Sequence, residues 1–204
     1  MSPKRDRARA ARAIEEFLRA MGQVPEGELA RTGELVAEAW DEDVLAGVGR
    51  DAADVLRDGA LPLPGSEHAI VGLRGIDVTS MCPHHLMPSH GVATVAYRPG
   101  EMGAGLGRIA QVVHLSARRL VLQETLGVDI AGAVVDGLAA RGALCRLELR
   151  HTCLVARGER QARAICDTVA FAGAFAEGGA DRDAALAWLG AGSSLDRAHA
   201  GLHG

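Results

Sequence analysis

The stretch LCRLELRHTCLV, residues 144–155, decides the fold, because apolar and polar side chains alternate along it. Successive side chains of a β-strand point to opposite faces of a sheet. We therefore expect a strand over residues 143–156 with one buried face, which carries Cys145, Leu147, Leu149, His151, Cys153 and Val155. On such a strand His151 and Cys153 would emerge on the same face, about 6–7 Å apart.

A second motif, Cys82-Pro83-His84-His85, adds further side chains that bind metals. Zn²⁺ prefers cysteine thiolates and imidazoles, and a catalytic zinc takes three protein ligands and keeps one position open. Across the two motifs, two cysteines and one histidine can fill such a site, which leaves two histidines for acid–base chemistry. A buried cysteine alone is often only a small apolar residue, but the combination predicts a catalytic metal site.

The composition limits the class of protein. With 204 residues, 48% of them hydrophobic, the chain can bury the core of one domain with an appendage. A net charge of −4 provides no general basic field for nucleic acid or an anionic membrane. No apolar run approaches the ~20 residues of a membrane span, and the charged N-terminus does not resemble a signal peptide. We therefore expect a cytoplasmic protein with reduced cysteines, in which Cys145 and Cys166 are packing residues.

Helical patterns dominate the N-terminal part. We expect helices over residues 5–21 and 33–46, and a short third helix that Asp51 caps. Thr32 is the expected N-cap of the second helix. The residues expected to face inward from that helix are Leu35, Val36, Ala39 and Trp40. Residues 59–66 contain two prolines and two glycines and are expected to form a linker.

Strands and helices then follow in the order of an α+β domain. Strands are predicted over residues 68–80, 90–98, 143–156 and 164–173, with two helices between the second and third strands. We expect an antiparallel four-stranded sheet with two helices on one face, followed by a short helix over residues 183–189. The second face and the edges of the sheet would be bare, which predicts a homo-oligomer.

With these motifs in place, the chain resembles the GTP cyclohydrolase I family, whose members have the tunnelling fold. The segments that carry the resemblance are Cys82 to Leu86, Arg118 to Glu124, and His151 to Cys153 followed by Arg157 to Arg160. We accordingly expect a helical extension over residues 1–62, a tunnelling-fold catalytic domain over 63–190 and a disordered tail over 191–204. The resemblance also implies a toroidal homodecamer with active sites at subunit interfaces.

Roles for the metal and for proton transfer follow from the resemblance. It makes Cys82, His85 and Cys153 the ligands of Zn²⁺. It makes His84 and His151 the proton-transfer pair. A metal site without catalysis would need neither of these two histidines, which argues against a silent zinc-stabilised scaffold.

Substrate roles are implied in the same way. Gln123 and Glu124 would hold the guanine edge, Arg157 would bind a phosphate, and Arg108 would also contact the substrate. The implied reaction opens the imidazole ring of GTP hydrolytically, releases formate and recloses the skeleton as 7,8-dihydroneopterin triphosphate. Considered without the other motifs, Gln123 and Glu124 could equally be a polar helix end, and Arg157 an ordinary solvated residue.

Several positions depart from the family pattern. Pro83 replaces an acidic residue, Gly107 stands where a serine of the later rearrangement is usual, and Gln111 stands where a phosphate-binding arginine is expected. These departures leave open a diverged paralogue that acts on another guanine nucleotide or stops at the ring-opened formyl intermediate.

Overall fold

The computed structural model describes residues 4–66 and 68–192, and it confirms the α+β class. The N-terminal part of the described chain contains helices α1 (Arg7–Ala20), α2 (Thr32–Ala39) and α3 (Ala52–Arg57). The described strands are β1 (Ala60–Pro62), β2 (Val71–Met81), β3 (Pro88–Arg98), β4 (Met102–Ala104), β5 (Gly142–His151) and β6 (Cys166–Gly173). The other helices are α4 (Leu106–Ala117), α5 (Gln123–Leu138), α6 (Thr152–Val155), α7 (Ala174–Glu177) and α8 (Gly179–Gly190).

The main sheet has the strand order β2-β3-β5-β6, and every neighbouring pair is antiparallel. This confirms the predicted four-stranded antiparallel sheet. Met81 pairs with Pro88, and Ser89 pairs with His151. The end of β2, the start of β3 and the end of β5 therefore meet at one end of the sheet, where both cysteine–histidine motifs lie.

The core lies between one face of this sheet and the helices α4 and α5, as predicted. The inward residues of β5 pack there, and Cys145, Leu147 and Leu149 are fully buried. Burial raises the pKa of the Cys145 thiol to about 12, so this cysteine is an inert packing residue as expected. Helix α3 closes the far side of the layer, and Asp51 caps it by accepting a hydrogen bond from Ala53 N at 2.9 Å.

The second face of the sheet is not bare, which corrects the prediction. Leu144 and Ala96 point to this face and form a second buried cluster with Phe175 and Ala185. Helix α8 is longer than predicted, and Trp188 on it lies under the guanidinium of Arg74 at 4.0 Å. The C-terminal helices thus cover part of this face, while the strands β2 and β6 form the two edges of the sheet.

Helices α1 and α2 pack closely through small residues. A Cβ atom on Gly33 would lie 2.6 Å from the carbonyl oxygen of Ala11, so only glycine fits at this crossing. Gly33 and Ala37, one turn apart, are the buried residues of α2. The predicted inward face of this helix is therefore wrong in part, because Leu35 is 50% exposed. Ala39 is exposed as well.

The limits of several elements also differ from the predictions. Helix α2 begins at Thr32, with Arg31 as the N-cap, and continues after Ala39 as a π-helical turn over Trp40–Val44. The predicted linker over residues 59–66 contains β1, which pairs with β4. The predicted disordered tail lies outside the described residues from residue 193 onward. Among residues 4–66 and 68–192, no helix combines the length and the apolar character that crossing a membrane requires.

Candidate functional site

A tight turn between β2 and β3 holds the first metal-binding motif. Leu86 N donates to Cys82 O at 3.0 Å, and Cys82 N donates to Met87 O at 3.0 Å. Leu86 has a φ of 53°, which places a bulky non-glycine residue in the left-handed region. The turn folds Cys82 and His85 onto each other, with Sγ and Nδ1 only 3.7 Å apart.

Cys153 completes the candidate metal site from a different element than predicted. Strand β5 ends at His151, and Cys153 lies in the short helix α6, so the two residues do not share a strand face. The ladder ends because the next partner on β3 is Pro88, which has no N–H to donate. The carbonyl oxygen of Pro88 instead accepts a hydrogen bond from Thr152 Oγ1 at 2.7 Å, and the chain turns into α6 there.

The ligand atoms of Cys82, His85 and Cys153 all lie within 4.8 Å of one another. Two thiols and one imidazole at this separation could hold a metal ion, and the set matches the preferences of zinc. Burial and the adjacent Cys82 raise the pKa of the Cys153 thiol, while Arg157 opposes the rise. A bound metal cation would favour the thiolate form of Cys153 against this shift.

His151 lies beside these three residues with both ring nitrogens engaged. Its Nδ1 is 2.9 Å from Ser89 Oγ, which follows from the direct pairing of Ser89 with His151 across β3 and β5. Its Nε2 is 2.8 Å from Gln123 Oε1. Burial lowers the pKa of His151, and the carboxylate of Glu124 opposes part of this shift.

Gln123 is buried at the start of α5, with 4% of its surface exposed. Its Nε2 donates to Leu147 O and Cys166 O, both at 2.9 Å, and lies 3.1 Å from Thr168 Oγ1. The side chain therefore ties α5 to β5 and β6. All its polar atoms already have partners within the protein.

A cavity of about 200 Å³ joins the metal-binding residues to the start of α5. Its lining contains the predicted site residues Cys82, His84, His85, Gln123, Glu124, His151 and Cys153. Glu124 is exposed to the cavity in the first turn of α5. The main chain of Val121 donates to Met81 O at 3.3 Å, which holds this helix start against the metal-binding turn.

Neither Arg157 nor Arg108, the two predicted substrate-binding arginines, lines the cavity. Arg157 follows α6, is exposed and acts electrostatically on Cys153, so it belongs to the surroundings of the candidate metal site. Arg108 lies near the start of α4, where its side chain packs against Gly59 and its Nη1 is 3.4 Å from Gln111 Oε1.

Sequence reasoning missed Ser89 and Ser80, which also line the cavity and are buried. Both lie on strand positions that point to the core, in line with Ala93 and Val95 on β3 and with Val78 on β2. A hydroxyl at an otherwise apolar inward position needs a partner. This break in the alternation is the signal that could have identified them.

The chain matches known proteins over nearly its whole length. The sequence profile described as GTP cyclohydrolase I matches residues 10–189. A protein of Leifsonia xyli named GTP cyclohydrolase 1 is 43% identical over 190 residues, which cover 93% of this chain and 98% of that protein. A protein of the same name from Mycobacterium avium is 40% identical, over 89% of this chain and 88% of that protein. Another, from Deinococcus radiodurans, is 38% identical, over 78% of this chain and 73% of that protein.

Proposed function

Because the chain belongs to the GTP cyclohydrolase I family of hydrolases, we propose that it opens the imidazole ring of GTP with water, releases formate and recloses the product as 7,8-dihydroneopterin triphosphate. The observation that carries this proposal is the cluster of Cys82, His85 and Cys153 in the same cavity as His84, His151 and Glu124. Metal ligands, spare histidines and a carboxylate are the groups that this hydrolysis needs.

Zn²⁺ is the proposed metal, held by Cys82, His85 and Cys153. A zinc ion held there would act as a Lewis acid and lower the pKa of a bound water molecule towards ~7. The protein contributes the geometry, since the turn at Leu86 and the short helix α6 bring the ligand atoms together. The three protein ligands leave an open position, as catalytic zinc sites do.

His84 and His151 are the proposed proton carriers. Adding water to the imidazole carbon of guanine requires that the neighbouring ring nitrogen be protonated, and an imidazole with a pKa near neutrality suits this task. His84 is exposed at the cavity next to His85, with ring centroids 6.2 Å apart and the rings nearly perpendicular. His84 and His151 both line the cavity that holds the candidate metal ligands.

We propose that Glu124 recognises the guanine base. A carboxylate can accept two hydrogen bonds, from the ring N–H and the exocyclic amine of guanine. Adenine offers no matching pair of donors, and an acceptor left unpaired in a closed site costs about 1–3 kcal/mol. No side chain caps the N-terminus of α5, where Glu124 occupies the first turn.

The active site is proposed to be complete only in an oligomer. A cavity of about 200 Å³ is smaller than the ~300–1,000 Å³ of typical small-molecule sites. Arg108 lies outside this cavity, so in a decamer it would reach the substrate of a neighbouring subunit. Apolar side chains of α1 and α2 are exposed, including Phe17 and Leu35, and such surfaces mark subunit contacts. Sedimentation of the zinc-loaded protein should show a species much larger than the chain.

The test of the function is direct. Purified, zinc-loaded protein is incubated with GTP, and formate is measured together with the fluorescence of the oxidised pterin. Equal amounts of both products are expected, and stripping the metal with a chelator should abolish both. A protein that binds zinc but consumes no guanine nucleotide would instead be a silent scaffold, and the proposal would be wrong.

A second outcome is favoured by Gln111 and Gly107. Gln111 lies beside Arg108 but carries no charge, so one expected contact with the triphosphate is missing. A diverged enzyme would then accept less phosphorylated guanine nucleotides or release the ring-opened formyl compound. Formate without pterin, or ring opening without formate, would identify this variant of the reaction.

A further inference from the structure

We propose that Gln123 is a positioning residue that holds His151 as its Nε2–H tautomer, and that it does not bind the guanine base. This inference rests on the proposed function, since it concerns a histidine of that site. The observation that carries it is the partly buried chain of hydrogen bonds from Ser89 through His151 and Gln123 to the main chain of β5 and β6.

The orientation of the Gln123 amide is fixed by its neighbours. Two main-chain carbonyl oxygens, of Leu147 and Cys166, lie 2.9 Å from its nitrogen. Carbonyl oxygens only accept hydrogen bonds, so this end of the amide must be the NH₂ group. If the amide were reversed, its oxygen, which is also an acceptor, would face these two carbonyl oxygens. Oε1 is therefore the atom that points to His151.

The tautomer of His151 follows from this orientation. Gln123 Oε1 is an acceptor, so the ring nitrogen 2.8 Å away must carry a proton, and that nitrogen is Nε2. In the neutral ring Nδ1 then has the lone pair, and it accepts from the hydroxyl of Ser89 at 2.9 Å. Nδ1 is thus the ring nitrogen with the free lone pair, on the side of the ring where Ser89 lines the cavity.

The burial of Gln123 argues against a direct contact between its side chain and the guanine base. Gln123 is 4% exposed, and its two N–H groups and its carbonyl oxygen are already used within the protein. If an N–H group of Gln123 donated to guanine instead, the carbonyl oxygen of Leu147 or of Cys166 would lose its hydrogen bond. Glu124, the next residue, is exposed and free to meet the base.

The tautomer can be measured directly in the parent protein. Solid-state ¹⁵N NMR of sedimented, zinc-loaded protein with labelled histidine distinguishes the two neutral tautomers, and comparison with His151→Gln identifies the signals of His151. We expect a protonated Nε2 and an unprotonated Nδ1. A protonated Nδ1 would overturn the proposal, and this result needs neither activity nor a second variant.

Substitution of Gln123 then separates positioning from binding. In Gln123→Leu we expect the single tautomer to be lost and kcat to fall by about 10- to 100-fold, because a misplaced acid–base group loses much of its ~10²–10⁴-fold contribution. The dissociation constant of GTP should change by less than about threefold, because no contact with the base is removed. Unchanged tautomer with about tenfold weaker GTP binding would assign Gln123 to the base and overturn the proposal.

Matched variants complete the experiment. Thr168→Val removes one of three acceptors of the amide and leaves the two carbonyls, so the tautomer should persist. Ser89→Ala should lower kcat with little effect on GTP binding, whereas Ser116→Ala, at a buried serine outside this cavity, should leave kcat near the parent value. If the parent shows the expected tautomer but no ring opening, the proposed function fails and the role of Gln123 as the partner of His151 stands.

Discussion

Cys82 Sγ lies 3.7 Å from His85 Nδ1, across the turn that joins β2 to β3. The spacing of three residues alone does not bring these atoms together, because successive side chains of an extended segment diverge. The hydrogen bond from Leu86 N to Cys82 O closes the turn and makes the pair. Two of the three candidate metal ligands are therefore brought together locally, before any distant residue is added.

We expect one zinc per subunit, and Cys153→Ser should lower the zinc content sharply. Cys153 is the third proposed ligand and comes from a distant element, and a hydroxyl is a much poorer zinc ligand than a thiolate. Metal analysis of the purified variant measures this. Cys166→Ser is the matched control, since Cys166 lies outside the cluster and its loss should leave zinc bound. Full zinc occupancy in Cys153→Ser would remove Cys153 from the site.

His84→Ala should keep both zinc and fold but lose about 10²–10⁴-fold in turnover, the usual contribution of a general acid–base group. His84 is exposed at the cavity and is not one of the clustered ligands, so nothing structural depends on it. Metal content and turnover are measured on the same sample. His114→Ala, an exposed histidine that contacts Asp77 O, is the control with parent-like turnover. Loss of zinc in His84→Ala would contradict the division between ligands and proton carriers.

Glu124→Ala should abolish binding of guanine nucleotides while the oligomer remains intact. The carboxylate is exposed in the cavity, and removing it would eliminate the two charge-assisted hydrogen bonds to the base that we propose. Calorimetry with GTP measures the change, and Asp136→Ala, exposed on the same helix, should bind like the parent. Equal affinities in Glu124→Ala and the parent would place the base pocket elsewhere.

Sequence patterns predicted the elements of the sheet but not where β5 ends. The alternation of polar and apolar residues continues past His151 through Val155, so periodicity alone extends the strand. The stop comes from the partner strand, because Pro88 cannot donate the next hydrogen bond. The sequence of one strand does not show how that strand pairs with its neighbour. The pattern therefore did not predict the short helix from which Cys153 approaches the other candidate ligands.

The same limit applies to the candidate site. The two cysteine–histidine motifs were identifiable as a metal site because few residue types bind zinc. The choice of Cys82, His85 and Cys153 within them came from the resemblance to the family. The surroundings of Gln123 were not identifiable, because its partners Leu147 and Cys166 contribute only main-chain carbonyl groups. Every residue has such a group, so the sequence contains no sign of which one will accept the hydrogen bond.

The last prediction concerns Gln111 and Gly107, near the start of α4. Without an arginine at position 111, one charge-assisted contact with the triphosphate is absent, worth about 1.5–3 kcal/mol or roughly 10- to 150-fold in affinity. The parent should therefore discriminate weakly between GTP and less phosphorylated guanine nucleotides. Gln111→Arg should restore the preference for GTP, and Gln111→Glu, which adds the opposite charge, should weaken GTP binding further. Calorimetry with GTP, GDP and GMP measures all three proteins.

Gly107→Ser tests the step after ring opening. A Cβ at this position meets nothing within 4 Å, so the hydroxyl can be added without disturbing α4. Glycine also costs a helix about 1 kcal/mol relative to alanine, so the substitution should not destabilise the fold. If the missing hydroxyl slows reclosure, the parent accumulates the ring-opened formyl compound, and Gly107→Ser converts it to pterin faster. A parent that strongly prefers GTP and releases only pterin would contradict both effects, and it would show that Arg108, Arg157 and the neighbouring subunit suffice to bind the triphosphate.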